Sequence, residues 1–156
     1  PGWIRIWHSC GICATRTARG GSRRRKIHAT ATDTRRPCNR GIVVGDLSFI
    51  SLSHVLPAIR RVAAADADIV LLVKPQFEVG RTGIREGVVT DAALRSEAVM
   101  GVLWSAWDTG LGTLGVISSP IVGTHGNLEY LVHLAASRGS NPTEWISTVN
   151  QLTGAG

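Results

Sequence analysis

Acidic residues are absent from the first 32 positions of this chain, and leucine and valine are absent from the first 40. A stretch so poor in aliphatic side chains can bury little surface, and it shows neither a 3.6 nor a 2.0 apolar period. Residues 1–40 are therefore predicted to be a basic segment, disordered or of non-native coding origin, joined to a globular domain over residues 41–156. Charge follows the same division. Residues 1–40 hold ten Arg or Lys against one acid, Asp33, while the remainder holds seven basic and ten acidic residues. The net charge of +6 thus belongs to the first segment and not to the globular body.

Cysteine is also scarce. Cys10, Cys13 and Cys38 make an odd count confined to the first quarter, which excludes a disulfide framework. Cys10-x2-Cys13 has the spacing of one half of a zinc site, with His8, His28 and Cys38 nearby, but a closed site wants a second close-spaced pair. Arg23-Arg24-Arg25-Lys26 could contact phosphate or be a solvated tail. Long apolar runs are missing as well: Ile69 to Val73 and Val99 to Trp104 stop far short of the ~20 residues that span a bilayer. Nothing near Pro1 resembles the apolar core of a signal peptide. A soluble, cytoplasmic protein without a membrane partner is expected.

From Gly41 onward the pattern is regular. Ile42 to Val44 predicts a strand, and Leu52, Val55, Leu56, Ile59 and Val62 predict a helix with Pro57 in its first turn. Ile69 to Val73 reads as a strand buried on both faces of a parallel sheet. A glycine-punctuated loop over residues 75–90 leads to a helix capped by Thr90 or Asp91 and ended at Gly110, with Leu94, Ala98, Val102 and Ala106 on one face. Trp104 and Trp107, at helical spacing, are expected in the core. Leu114 to Ile117 and Leu128 to Leu134 predict two strands, the second with Tyr130, Val132 and Leu134 on one side. Asn141-Pro142-Thr143-Glu144 signals a short terminal helix. The order β-α-β-α-β-β describes half of a doubly wound α/β domain, and a partner chain could complete the sheet.

In open α/β sheets, ligands bind beyond the carboxyl ends of the strands. Asp46 follows Ile42-Val43-Val44 and Lys74 follows Ile69 to Val73, so adjacent parallel strands would set an acid beside an amine. Glu129 opens the last strand. If that strand runs antiparallel, a second carboxylate arrives at the same edge. A lysine among carboxylates is suited to orient or deprotonate a hydroxyl. Each residue alone reads equally well as a helix cap or a solvated loop position. His54 and His133 are read as structural, and His125 as a loop residue near Glu129.

Three stretches add to this. Gly45-Asp46-Leu47-Ser48-Phe49-Ile50-Ser51-Leu52, Leu72-Val73-Lys74-Pro75-Gln76-Phe77-Glu78-Val79-Gly80 and Gly126-Asn127-Leu128-Glu129-Tyr130 resemble the later motifs of the TlyA family. The intervening Arg81 to Val89 fits as well, so the likeness covers about residues 41–135. That family consists of S-adenosylmethionine-dependent rRNA 2′-O-methyltransferases with an FtsJ-like catalytic domain, also labelled hemolysins. The resemblance implies an incomplete Rossmann-like class I methyltransferase sheet, of parallel strands with an antiparallel last strand. It also implies S-adenosyl-L-methionine as cofactor and ribosomal RNA or ribosomal subunits as partners. Asp46, Lys74 and Glu129 match the last three members of the family's Lys-Asp-Lys-Glu tetrad, with Lys74 as base at the ribose 2′-hydroxyl. Asp46 and Leu47 would meet the cofactor. Family members also carry an S4-like RNA-binding domain, a first catalytic lysine and a glycine-rich strand-to-helix turn. Gly20-Gly21, lying between arginines with no strand before it, does not match that turn. Two functions follow: a truncated ribose 2′-O-methyltransferase, or an inactive remnant or basic-tailed RNA-binding module.

Overall fold

The computed structural model describes the backbone of residues 3–8, 11–16, 41–80 and 87–156, and side chains within residues 41–80, 87–123 and 125–156. Among the described residues, six strands form one sheet. They are β1 (Trp3–His8), β2 (Gly11–Arg16), β3 (Gly41–Asp46), β4 (Asp68–Val73), β5 (Gly112–Ser118) and β6 (Tyr130–Ala135), in the order β2-β1-β3-β4-β6-β5. β1 and β2 fall in the segment predicted to lack regular structure. Their backbones pair antiparallel with each other and onto the edge of β3, a bonding pattern open to almost any sequence because it uses main-chain groups. The rest of residues 1–40, with the arginine run, lies outside the described residues.

β3 and β4 are the parallel pair, with Val43 opposite Ile69, and they are joined through helix α1 (Leu56–Val62). β6 runs antiparallel to β4 and forms an antiparallel pair with β5. The sheet is thus mixed α/β, mostly antiparallel with one parallel pair. Helix α2 (Pro75–Glu78) is a single turn directly after β4, and α3 (Ala92–Asp108) is the long helix. The Asp91 carboxylate accepts from the Ala93 N–H at 2.8 Å, satisfying one of the donors that a helix start leaves free. Gly110 takes φ +80° just beyond that helix, where a side chain would be strained. Asn141 caps the turn that leads into α4 (Ile146–Thr153), accepting from the Thr143 N–H at 2.9 Å.

One face of the sheet carries the core. Val43, Ile69, Leu71, Val73, Tyr130, Val132 and Leu134 pack against Leu56 and Ile59 of α1, Val99, Val102, Leu103 and Ala106 of α3, and Val149 of α4. Tyr130, Val132 and Leu134 share that face, as their alternation predicts. Ile69 to Val73 does not behave as predicted. Burial alternates along β4, because the helices described here cover one side of the sheet only. The opposite face leaves Ile42, Val44 and Ile117 at 47%, 41% and 56% exposure. An unbroken apolar run records what a strand tolerates, while the number of covering layers decides what is buried. Trp104 and Trp107 are also not core residues; each is 40% exposed on the outer side of α3.

Candidate active site

Strand direction assembles the site. Parallel pairing brings the ends of β3 and β4 to one edge, with Asp46 opposite Leu72 and Lys74 two residues further on. Because β6 is antiparallel, it starts at that edge, with Tyr130 opposite Val73. Glu129 immediately precedes Tyr130 and Lys74 immediately follows Val73, so both stand at this end of the sheet.

Two of the three residues touch. Lys74 Nζ lies 2.6 Å from Asp46 Oδ1, with the lysine side chain 13% exposed and the aspartate 61% exposed. Lys74 Nζ also donates to Ser48 Oγ at 3.3 Å. Its methylenes are therefore packed while its ammonium reaches an open carboxylate. Glu129 is the third, buried at 8% exposure. Its backbone carbonyl accepts from Ser119 N–H at 2.8 Å, which ties it to the end of β5. Gly123 lies against its carboxylate so closely that a Cβ there would stand 2.6 Å from Glu129 Cδ. The ion pair of Lys74 is with Asp46, and Glu129, just before β6, is a separate buried residue at the same end of the sheet. Leu47, the other cofactor candidate, is 6% exposed and belongs to the core, so its side chain serves packing. His125 is exposed on a turn with φ 60°, and His133 bonds Asp68 at 2.8 Å on β4 and β6, as a structural histidine would.

Two features were not legible in the sequence. Phe49, three residues after Asp46, adopts φ 65° and is 72% exposed. Its ring sits 5.1 Å from that of Phe77 in α2, tilted by 48°. A bulky residue in the left-handed region is uncommon and gathers at functional loops. Glu78 is the other. Its Oε2 accepts from Ser51 Oγ at 2.6 Å and its Oε1 from the Leu52 N–H at 2.9 Å. Burial pushes its carboxyl above the usual range, against the opposing pull of those bonds and of His54. The only sequence signal was the repetition of serine near Asp46, which has many other uses.

None of Asp46, Lys74 or Glu129 lines the grooves of about 470 and 730 Å³ on this surface. Of the three, Asp46 is the exposed member, while Lys74 and Glu129 are largely buried.

Residues 17–136 match the family model of the FtsJ-like methyltransferases. The chain is 51% identical over 94 residues to the 16S/23S rRNA (cytidine-2′-O)-methyltransferase TlyA of Mycobacterium tuberculosis, covering 60% of this chain and 35% of that protein. It is 38% identical over 90 residues to the rRNA methyltransferase-named YqxC of Bacillus subtilis, covering 57% of this chain and 32% of that one. A solved structure from Streptococcus thermophilus, named as a hemolysin, superposes with a TM-score of 0.63 at 38% identity, covering 71% of this chain and 41% of the other. The chain thus spans about a third of the length of the curated relatives it matches.

Proposed function

The chain belongs to the FtsJ-like methyltransferase family, and from that premise we propose that residues 41–156 form the carboxyl-terminal half of an S-adenosylmethionine-dependent rRNA ribose 2′-O-methyltransferase domain. The observation that carries this reading is the 2.6 Å contact of Lys74 with Asp46 at the edge where Glu129 also arrives. The donor set fits one end of the cofactor. Carboxylates at Asp46 and Glu129 suit the cationic sulfonium of S-adenosylmethionine, which when bound supplies an activated methyl group.

Each residue then has a defined task. Lys74 is the group placed to orient the ribose 2′-hydroxyl and to take up its proton. Asp46, 2.6 Å away, compensates the lysine's positive charge, and Glu129 adds a second carboxylate at the same end of the sheet. Ser48, now bonded to Lys74, keeps the amine aimed along the edge. Phe49 offers an exposed ring on which a base can stack. Ribosomal RNA, alone or within a ribosomal subunit, is the substrate of this reading, supported by the likeness to rRNA methyltransferases, and action in the cytoplasm follows from it. Among the described residues no helix is long and apolar enough to cross a membrane.

Calorimetric titration with S-adenosylmethionine tests the reading. Binding that is abolished by Asp46→Ala is the expected result, together with transfer of labelled methyl to ribosomal subunits. Undetectable binding by the folded chain would rule out autonomous catalysis.

A further inference from the structure

Asp46 and Lys74 each stand at the root of a loop, and one side chain ties the two loops together. Beyond Asp46 the chain runs through residues 47–51 to a 3-10 turn, Leu52–His54; beyond Lys74 it enters the single-turn helix α2. A one-turn helix has no stability of its own and must be held by its contacts. Glu78, the last residue of α2, supplies two of them, beside packing against α3 and the Phe77–Phe49 ring contact. It accepts from Ser51 Oγ at 2.6 Å and from the Leu52 N–H at 2.9 Å, two charge-assisted bonds, the second satisfying a donor at the start of the 3-10 turn. Ser51 Oγ in turn accepts from the Ser53 N–H at 3.2 Å and bonds Ser53 Oγ at 2.7 Å.

The loop so held contains a conformation that needs holding. Phe49 at φ 65° lies in the left-handed region that a bulky side chain rarely adopts and that surrounding contacts must hold. The loop is anchored at one end by Leu47 in the core and at the other by Glu78 through Ser51 and Leu52, with Ile50 and Leu52 also packed on the core. Between these anchors sits Ser48, the hydroxyl that accepts from Lys74. Release of the second anchor would let the loop relax through Phe49 and draw Ser48 away from the amine.

We propose that Glu78 is a positioning residue, holding the loop after Asp46 against the helix after Lys74 so that the Asp46–Lys74 contact and the Ser48 bond persist together. The proposal deepens the methyltransferase reading and rests on it for its catalytic consequence. Its structural content is separable.

The test compares Glu78→Ala with Glu78→Gln in the full 156-residue chain. Glutamine keeps an oxygen for the Leu52 N–H and offers an amide to Ser51 Oγ; alanine keeps neither. The first readout is the NMR signal of the Lys74 side chain, with Asp46→Asn as the reference for a broken pair. Glu78→Ala should shift that signal in the direction of Asp46→Asn, and Glu78→Gln should stay near the unsubstituted chain. The second readout is methyl transfer, where Glu78→Ala should lower kcat by ~10–100-fold with KM for RNA little changed, as expected for a group displaced by about an ångström. Glu78→Gln should restore most of the rate. An unmoved Lys74 signal in Glu78→Ala, or equal losses in both variants in proportion to a fall in Tm, would overturn the proposal. Should Glu78→Ala fail to fold, Ser51→Ala removes one of the two bonds and must shift the Lys74 signal the same way by less; no shift overturns it. If the unsubstituted chain transfers no methyl group, the methyltransferase reading fails, and the NMR comparison still decides whether Glu78 holds the loops.

Discussion

Replacing Lys74 by methionine separates its chemical task from its structural one. The lysine side chain is 13% exposed and its partner Asp46 is 61% exposed, so the pair is buried on one side and wet on the other. An ion pair with so exposed a member is worth ~0–1 kcal/mol, because water and salt screen it. Methionine preserves the packed stem, and the Asp46 carboxylate left behind remains solvated instead of stranded. The expected loss of stability is therefore under about 1 kcal/mol, a fall in Tm of no more than ~2–4 °C for a chain of this size. Methyl transfer should behave differently. Removing a positioned general base costs ~100–10,000-fold, so the rate should fall by at least two orders of magnitude while the melting curve hardly moves. Thermal unfolding by circular dichroism and transfer of tritiated methyl to ribosomal subunits measure the two quantities on one preparation. A folded Lys74→Met chain that keeps its rate within about tenfold would refute the assignment of Lys74 as proton acceptor. A fall in Tm far beyond the expected range would show that the pair is structural.

Other perturbations probe the surroundings. Leu103→Ala empties a fully buried position between α3 and the sheet and should cost ~2–5 kcal/mol in urea unfolding, whereas a loss under about 1 kcal/mol would contradict the packing described. Gly123→Ala forces a methyl group against the Glu129 carboxylate and should reduce methyl transfer more than stability; crystallography of the variant would locate the displaced carboxylate. Phe49→Ala removes an exposed ring and should leave Tm unchanged or slightly raised, while RNA affinity weakens by ~1–3 kcal/mol in a fluorescence titration if a base stacks there. Asp68 supplies a pH test. Its hydrogen bond with His133, and then that with Arg138, holds its carboxyl below the ordinary value of 3.8. A lowered folded-state value means that its stabilising contribution is present above the unfolded value and disappears as pH falls through the folded one. Asp68→Asn should therefore lower stability at neutral pH and flatten the acid limb below about pH 4, read from urea midpoints across that range.

Much of the architecture was legible because local rules govern it. The Asp91 cap, the Gly110 stop, the Asn141 cap and the alternation of Tyr130, Val132 and Leu134 each depend on residues within a turn or two of themselves. The placement of Asp46 and Lys74 at strand ends followed from the same short-range signals. The depth of burial in β4 was not legible. Ile69 to Val73 reads as buried on both faces, but whether a second layer of helices covers that strand is a property of the whole arrangement. Trp104 and Trp107 were misjudged for the same reason, since helical spacing gives the period of a face and not the direction in which it points.

The sequence by itself determined the order of the main elements from Gly41 onward, though not β1, β2 or the single-turn α2, together with the caps and the three ionisable residues set at the ends of elements, because backbone propensity and motif spacing are local quantities. Tertiary structure alone decided what those residues do to one another. Parallel pairing of β3 with β4 made Asp46 and Lys74 an ion pair, antiparallel pairing of β6 brought the buried Glu129 to the same end of the sheet, and Glu78 joined two loops that lie 26 or more positions apart. Strand direction and long-range closure are set by how the layers pack, and packing is summed over the whole fold.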